Sequence, residues 1–221
     1  VQIDHTRDRA IHVAVIGCGY WGPNLVRNLR STRGATVRAV CDTDDRRLAH
    51  MKKLYPDVAV HKDYRKLLKD GSVDAVVIAT PVQYHFEMAR AALSAGKHVL
   101  IEKPMARSSE ECETLCALAK RKRRTLMVGH TFLYSAPIRK MKEIIDAGDL
   151  GELRYISARR LNLGLFQRDI NVTWDLAPHD LSIITYLIGT TPVAVNCTGG
   201  RNVHPNVEDV TTLSLFFPRG D

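Results

Sequence analysis

A chain of 221 residues buries one large core or two modest ones, and 45% hydrophobic with 25% charged residues and no long Pro, Ser or Gly tract excludes a disordered or low-complexity polymer. The formal charge of +8 raises nucleic acid as a partner, but the densest basic run, "KRKRR" at 120–124, closes a helix pattern whose C-terminal dipole favours cations, with no aromatic residue interleaved for base stacking. No nucleic-acid partner is therefore expected, and the positive field suits a phosphate-bearing cofactor or substrate equally well.

The opening "VQIDHTRDRA" lacks the apolar core of a signal peptide and no later stretch is long enough to span a bilayer, so no membrane partner is expected. The five cysteines, Cys18, Cys41, Cys112, Cys116 and Cys197, are odd in number and sit in apolar contexts, which reads as buried thiols in a cytoplasmic protein.

"IHVAVIG" is a continuous apolar run, the pattern of a strand buried on both faces of a parallel sheet, and "TVRAVCD" at 36–42 is a second. "DDRRLAHMKKLY" puts Leu48, Met51 and Tyr55 on one helical face, and "VDAVVIAT" at 73–80 supplies a third strand. "YHFEMARAALSAG" stacks Phe86, Ala89 and Leu93, stops at Gly96, and leads into the fourth strand, "KHVLIE". In "SSEECETLCALAK", Ser108 and Glu111 have capping-box spacing, and Cys112, Leu115, Cys116 and Ala119 form the apolar stripe, so these cysteines read as core rather than metal ligands. "TLMVGH" at 125–130 is a fifth strand. This alternation predicts an α/β fold with a doubly wound parallel sheet, a dinucleotide-binding domain over residues 1–130.

After His130 the pattern changes. Pro137 opens a helix carrying Ile138, Met141 and Ile145 that ends at Gly148, strand-like stretches follow at 152–162, 192–198 and 208–217, and a helix is expected from about 176 to 188. Residues 131–221 thus read as a partial α+β domain whose last strand has nothing after it to cover the edge.

Gly17, Gly19 and Gly22 spell G-x-G-x-x-G directly after a strand and at the start of a helix. The first permits the tight turn, the second lets the backbone approach a pyrophosphate, and the third lets helix and strand pack closely, with Tyr20 and Trp21 in the same turn. Asp42 ends the second strand, where a carboxylate accepts bonds from two ribose hydroxyls and favours NAD. The other reading has Asp42 turning the chain toward Asp44 and Asp45 and Arg46 or Arg47 holding a phosphate, which leaves NADP open.

Thr80 and Pro81 break the third strand at the end that borders a nicotinamide, and His85 either faces the ligand or caps the following helix. Glu102, Lys103 and Pro104 end the fourth strand on the same side. A lysine at a helix start opposes the dipole, so Lys103 either orients a substrate hydroxyl or pairs with Glu102 at the surface. In "WDLAPHDL", Asp175 and His179 are four apart and share a face of a first helical turn, near enough to its start for Pro178 to be tolerated. Such a pair is a general base with its orienting carboxylate, or a helix cap beside a surface contact. No third and fourth ligand spacing accompanies it, so no metal is expected.

With "GCGYWGPN", Asp42, "ATP…H", "EKP" and "WDLAPHD" in this order, the chain resembles the glucose–fructose oxidoreductase / inositol dehydrogenase (Gfo/Idh/MocA) family from about residue 10 to 217, and looks closest to members acting on nucleotide-linked or amino sugars. The resemblance implies a Rossmann domain for NAD or NADP and a second domain with an open, mostly antiparallel sheet for substrate and oligomer contacts. It makes Lys103 the residue that touches substrate and nicotinamide, and Asp175 and His179 the acid-and-histidine pair, with His179 the acid/base. The implied reaction moves a hydride between a secondary hydroxyl of a sugar, nucleotide sugar or cyclitol and the nicotinamide. Arg159, Arg160 and Arg168 either meet an acidic substrate or are exposed strand and loop residues. Members of the family continue beyond residue 221. A homo-oligomer is expected if the second domain is complete, and the alternative reading is a catalytically inactive dinucleotide-binding sensor or partner protein.

Overall fold

The computed structural model of the chain describes residues 9–161, 166 and 170–218, which divide into two compact units, Val1–Gly129 and His130–Asp221. Each is built around its own elements.

In the first unit, apolar runs become parallel strands because helices cover both faces of the sheet. The elements are β1 (Ile11–Ile16), α1 (Gly22–Ser31), β2 (Ala35–Cys41), α2 (Asp45–Leu54), β3 (Ala59–His61), α3 (Tyr64–Lys69), β4 (Ala75–Ile78), α4 (His85–Ser94), β5 (His98–Ile101), α5 (Ser109–Lys122) and β6 (Leu126–Val128). The six strands are ordered β3-β2-β1-β4-β5-β6, all parallel. Alternation along β1 sends Ala14 and Ile16 to the face packed by Leu93 and Leu115, and Val13 and Val15 to the face packed by Val26, Leu48 and Met51. Leu93 and Leu115 are fully buried, and truncating either to alanine costs about 2–5 kcal/mol. The order reverses between β1 and β4, which pair in the register Ile16↔Ile78, so the turns leaving these two strands flank the crevice where an open α/β sheet holds a ligand.

Three expectations for this unit are corrected. A sixth strand, β3, and the helix α3 lie between the second and third predicted strands. The three-residue edge strand "AVH", with Ala59 and Val60 exposed, carries no readable periodicity, and α3 is signalled only by its Asp63 cap, which accepts from the Arg65 N–H at 3.0 Å. The buried stripe of α5 is Leu115, Leu118 and Ala119, whereas Cys112 is half-buried and Cys116 exposed; one step of the helix, about 100° at 3.6 residues per turn, moves the stripe off the cysteines. The Ser108 side chain caps α5 at 3.2 Å from the Glu111 N–H, while Glu111 reaches the N–H of Arg107 at 2.9 Å rather than that of Ser108.

The second unit contains a 3-10 turn at Thr131–Tyr134, α6 (Ala136–Asp146), α7 (Val172–Ile188), β7 (Ala194–Gly200) and β8 (Val210–Phe216). β7 and β8 pair antiparallel from Ala194↔Phe216 to Gly200↔Val210. The strand expected at 152–162 does not form over residues 153–161, which have no regular structure. Its alternation shows β propensity, but a strand exists through its ladder, and Tyr155 and Leu161 are 82% and 91% exposed. Cys197, on β7, is exposed rather than buried.

The helix expected from 176 begins at Val172, because the Asn171 side chain accepts from the Trp174 N–H at 3.1 Å and the Val172 N–H finds the Glu208 carbonyl at 2.9 Å. Pro178 is therefore inside α7, where it has no N–H for the Trp174 carbonyl, and not near its start.

Candidate active site

The dinucleotide turn is built from three glycines with three different surroundings. Gly17 leaves β1 with φ +98°, its N–H bonded to the Cys41 carbonyl at 2.8 Å, and a Cβ there would collide with the Ala79 carbonyl leaving β4. At Gly22, the first residue of α1, a Cβ would collide with the carbonyl of Gly17. Gly19 differs: the nearest atom to a Cβ placed on it is Arg47 Nη1, at 3.7 Å. The protein's own packing demands the first and third glycines but not the second. The bare face of Gly19 forms a cradle that a side chain would fill, and a pyrophosphate fits it.

The adjoining end of α1 has no side-chain cap, no acidic residue in its first turn, and Pro23 as its second residue, so its positive end is left for an anion. Tyr20 and Trp21 stand over the turn, 83% and 55% exposed, ring edge to ring face at 5.3 Å.

Asp42, expected either to meet a ribose or to turn the chain, is buried and tied into the turn. One carboxylate oxygen accepts from the Cys18 N–H at 2.7 Å and the other from the Asp44 N–H at 2.9 Å, with Arg47 Nη1 at 3.5 Å. A carboxylate has about four lone-pair positions, and these three donors leave acceptor capacity for one ribose hydroxyl. Burial, with the charge of Asp42 adding to it, pushes the thiols of Cys18 and Cys41 up to about 12, so both remain protonated and inert.

His85, expected to face the ligand or to cap a helix, does neither with its ring nitrogens. It is 1% exposed, with Nε2 2.8 Å from the Thr80 carbonyl and Nδ1 2.8 Å from the Pro104 carbonyl, and it provides no side-chain cap for α4. It joins the turn after β4 to the turn after β5, fixing the Thr80–Pro81 and Lys103–Pro104 segments relative to each other. Burial pushes its pKa down, against the two carbonyl partners, which favour the cation.

Glu102 and Lys103 follow β5 and are both partly buried, and the Lys103–Pro104 peptide is cis. Burial pushes the Glu102 carboxyl up, opposed by the backbone N–H and charge of Lys103. Gly129 leaves room for that carboxylate: a Cβ on it would lie 3.2 Å from both Glu102 oxygens.

In the second unit, Asp175 and His179 are the fourth and eighth residues of α7, and their spacing puts them on one face. Asp175 borders a hollow shared with Ile170, Val172, Leu176 and His204. The His179 ring meets Phe132 edge-on, with centroids 4.9 Å apart and planes at 79°. Arg160 forms a bidentate pair with Asp180, both bonds 2.9 Å, and lies 4.8 Å above the Phe132 ring. Phe132 and Asp180 were not among the expected site residues. Asp180 had a signal in its place beside His179, and Phe132 had none. Arg159 is exposed and Arg168 lies outside the described residues.

Among the described residues, no group of three His, Cys, Asp or Glu side chains is placed to hold a metal ion, and no helix is long and apolar enough to cross a membrane.

A model of an oxidoreductase family with an NAD-binding Rossmann fold matches residues 11–130, and a GFO/IDH/MocA C-terminal domain model matches residues 138–220. The chain belongs to the Gfo/Idh/MocA oxidoreductase family. Its first unit carries that family's NAD-binding Rossmann fold. Among similar proteins, 1-carboxy-3-chloro-3,4-dihydroxycyclohexa-1,5-diene dehydrogenase of Comamonas testosteroni is 34% identical over 86% of this chain and 51% of its own length. Inositol 2-dehydrogenase 2 of Saccharopolyspora erythraea is 32% identical over 95% of this chain and 64% of its own. The crystal structure of an oxidoreductase from Agrobacterium radiobacter in complex with NAD+, L-tartaric acid and magnesium superposes with a TM-score of 0.81 at 26% identity, covering 93% of this chain and 62% of the other. The chain thus spans between 51% and 64% of the length of these three relatives.

Proposed function

We propose that this chain is the cofactor-holding and acid–base part of an NAD-dependent dehydrogenase that oxidises a secondary hydroxyl of a sugar, nucleotide sugar or cyclitol, or reduces the corresponding ketone. The observation that carries the reading is the bare face of Gly19 beside an uncapped α1 and the Asp42 carboxylate, in a chain of the Gfo/Idh/MocA family. Two of the similar proteins are named as dehydrogenases of inositol and of a dihydroxylated cyclohexadiene, which supports a ring hydroxyl as the reacting group.

Gly17, Gly19, Tyr20, Trp21 and Gly22 hold the pyrophosphate side of the dinucleotide, Asp42 takes a ribose hydroxyl, and Thr80, Pro81, Glu102 and Lys103 border the nicotinamide. Bound there, NAD supplies the hydride acceptor. His179 takes the proton from the substrate hydroxyl, and Asp175, on the same helical face, orients it and steadies the imidazolium. Lys103 positions the substrate oxygen and stabilises its developing negative charge. His85 holds the turn of Thr80 and Pro81 and the turn of Lys103 and Pro104 together.

The test is a panel of nucleotide sugars and inositols added to the NAD-loaded chain, followed by the appearance of reduced nicotinamide. His179→Ala should lower turnover by about a hundredfold or more with dinucleotide affinity nearly unchanged. Undiminished turnover in that variant removes His179 from the mechanism. Asp42→Ala should weaken NADH more than NADPH, and equal losses would overturn the ribose assignment.

A further inference from the structure

We infer that Arg160 and Phe132 are positioning residues for His179, locked by Asp180; the inference rests on His179 being the acid/base. The four side chains form a closed path that begins and ends on α7. Asp180 projects from α7 and holds the Arg160 guanidinium through two parallel bonds, Nε to Oδ2 and Nη2 to Oδ1, each 2.9 Å. That fork leaves the guanidinium plane no freedom to turn. Arg160 sits 4.8 Å over the centroid of Phe132, and Phe132 meets the His179 ring at 4.9 Å and 79°. His179 is the residue before Asp180, so the path returns to its starting helix turn.

The parts explain one another. Phe132 belongs to a four-residue 3-10 turn and Arg160 to a stretch without regular structure, and neither segment offers much rigidity of its own. Arg160 and Asp180 have side chains 26% and 25% exposed, a degree of burial at which an arginine needs its partner. An imidazole that must point a nitrogen at a substrate hydroxyl gains from a fixed ring plane, since small misplacements of a reacting group are costly. A lysine at position 160 would keep the charge and lose the fork.

The experiment uses the 221-residue chain and the carbon-bound ring protons of its histidines in two-dimensional NMR, the His179 signals being assigned by their loss in His179→Gln. The Phe132 ring displaces these signals from their exposed positions, and Phe132→Leu removes the displacement. Arg160→Met and Asp180→Asn move the His179 signals toward the Phe132→Leu values while the other histidine signals hold. Arg160→Lys, the variant that decides if Arg160→Met fails to fold, behaves like Arg160→Met. His179 signals unchanged in either folded Arg160 variant overturn the inference. In an active preparation, Arg160→Met lowers kcat by about tenfold or more at unchanged NADH affinity. A normal His179→Ala turnover would defeat the functional reading while leaving the spectroscopic result standing, so the two failures are distinguishable.

Discussion

Gly19→Ala is expected to leave the fold intact while removing dinucleotide binding, in contrast to the same change at Gly17 or Gly22. At Gly17 the new methyl must accept φ +98° and a collision with the Ala79 carbonyl, with the Thr80 nitrogen 3.0 Å away. Backbone strain of about 1–2 kcal/mol and overpacking of about 1–3 kcal/mol together cost about 3 kcal/mol, a drop in Tm of about 6–12 °C for a chain of this size. Gly22→Ala meets the Gly17 carbonyl at ordinary φ and costs about 1–3 kcal/mol. At Gly19 the methyl lies 3.7 Å from the end of a flexible arginine, so stability should hold or rise by up to about 1 kcal/mol through the unfolded chain. The same methyl fills the cradle of the pyrophosphate, and an overpacking cost of about 1–3 kcal/mol weakens NADH by about 5- to 150-fold. Thermal melts of the three variants and NADH titrations of Gly19→Ala decide the matter. A Gly19→Ala protein as unstable as Gly17→Ala, or one that binds NADH like the parent, would refute the reasoning.

The remaining predictions concern stability and chemistry. Burial holds His85 and His130 below the ordinary histidine pKa of about 6.5, so their contribution to stability is present above that value and is lost as pH falls below it. Each such ring adds at most about 1.4 kcal/mol per pH unit, and urea melts of His85→Gln should show a shallower loss on acidification than the parent; equal slopes would remove His85 as a cause. Pro178→Ala restores an N–H inside α7 for the Trp174 carbonyl and should raise stability by about 1–3 kcal/mol in urea melts, whereas an unchanged midpoint would mean that this carbonyl is already satisfied. Lys103→Met should depress turnover by more than it weakens NADH, and a normal rate would exclude the lysine from charge stabilisation.

The Rossmann half was legible because its signals are local. An apolar run, three glycines at fixed offsets and a carboxylate at the next strand's end all lie within about thirty residues, and each acts on its immediate neighbours. β3 escaped because a three-residue edge strand has no period to read. Residues 153–161 misled for the opposite reason, their alternation being genuine while the ladder that makes a strand depends on residues elsewhere. The early start of α7 was hidden by the β-branched Val172 and Thr173, and it is set by Asn171 and by a carbonyl at Glu208, thirty-six residues further on. His85 and Phe132 show the same limit at the site. The tasks of these side chains are defined by Pro104 and Arg160, each nineteen or more residues away, and nothing in their own neighbourhoods distinguishes them from helix-start and turn residues.

The most direct test of a dinucleotide seated on the β1–α1 turn is an NADH titration of the Trp174→Phe protein, which leaves Trp21, beside Gly22, as the fluorescent tryptophan. Saturable quenching at one NADH per chain, with NADPH weaker, is the predicted result. A folded protein whose Trp21 emission is indifferent to NADH would contradict the assignment of this turn to the cofactor and, with it, the proposed dehydrogenase.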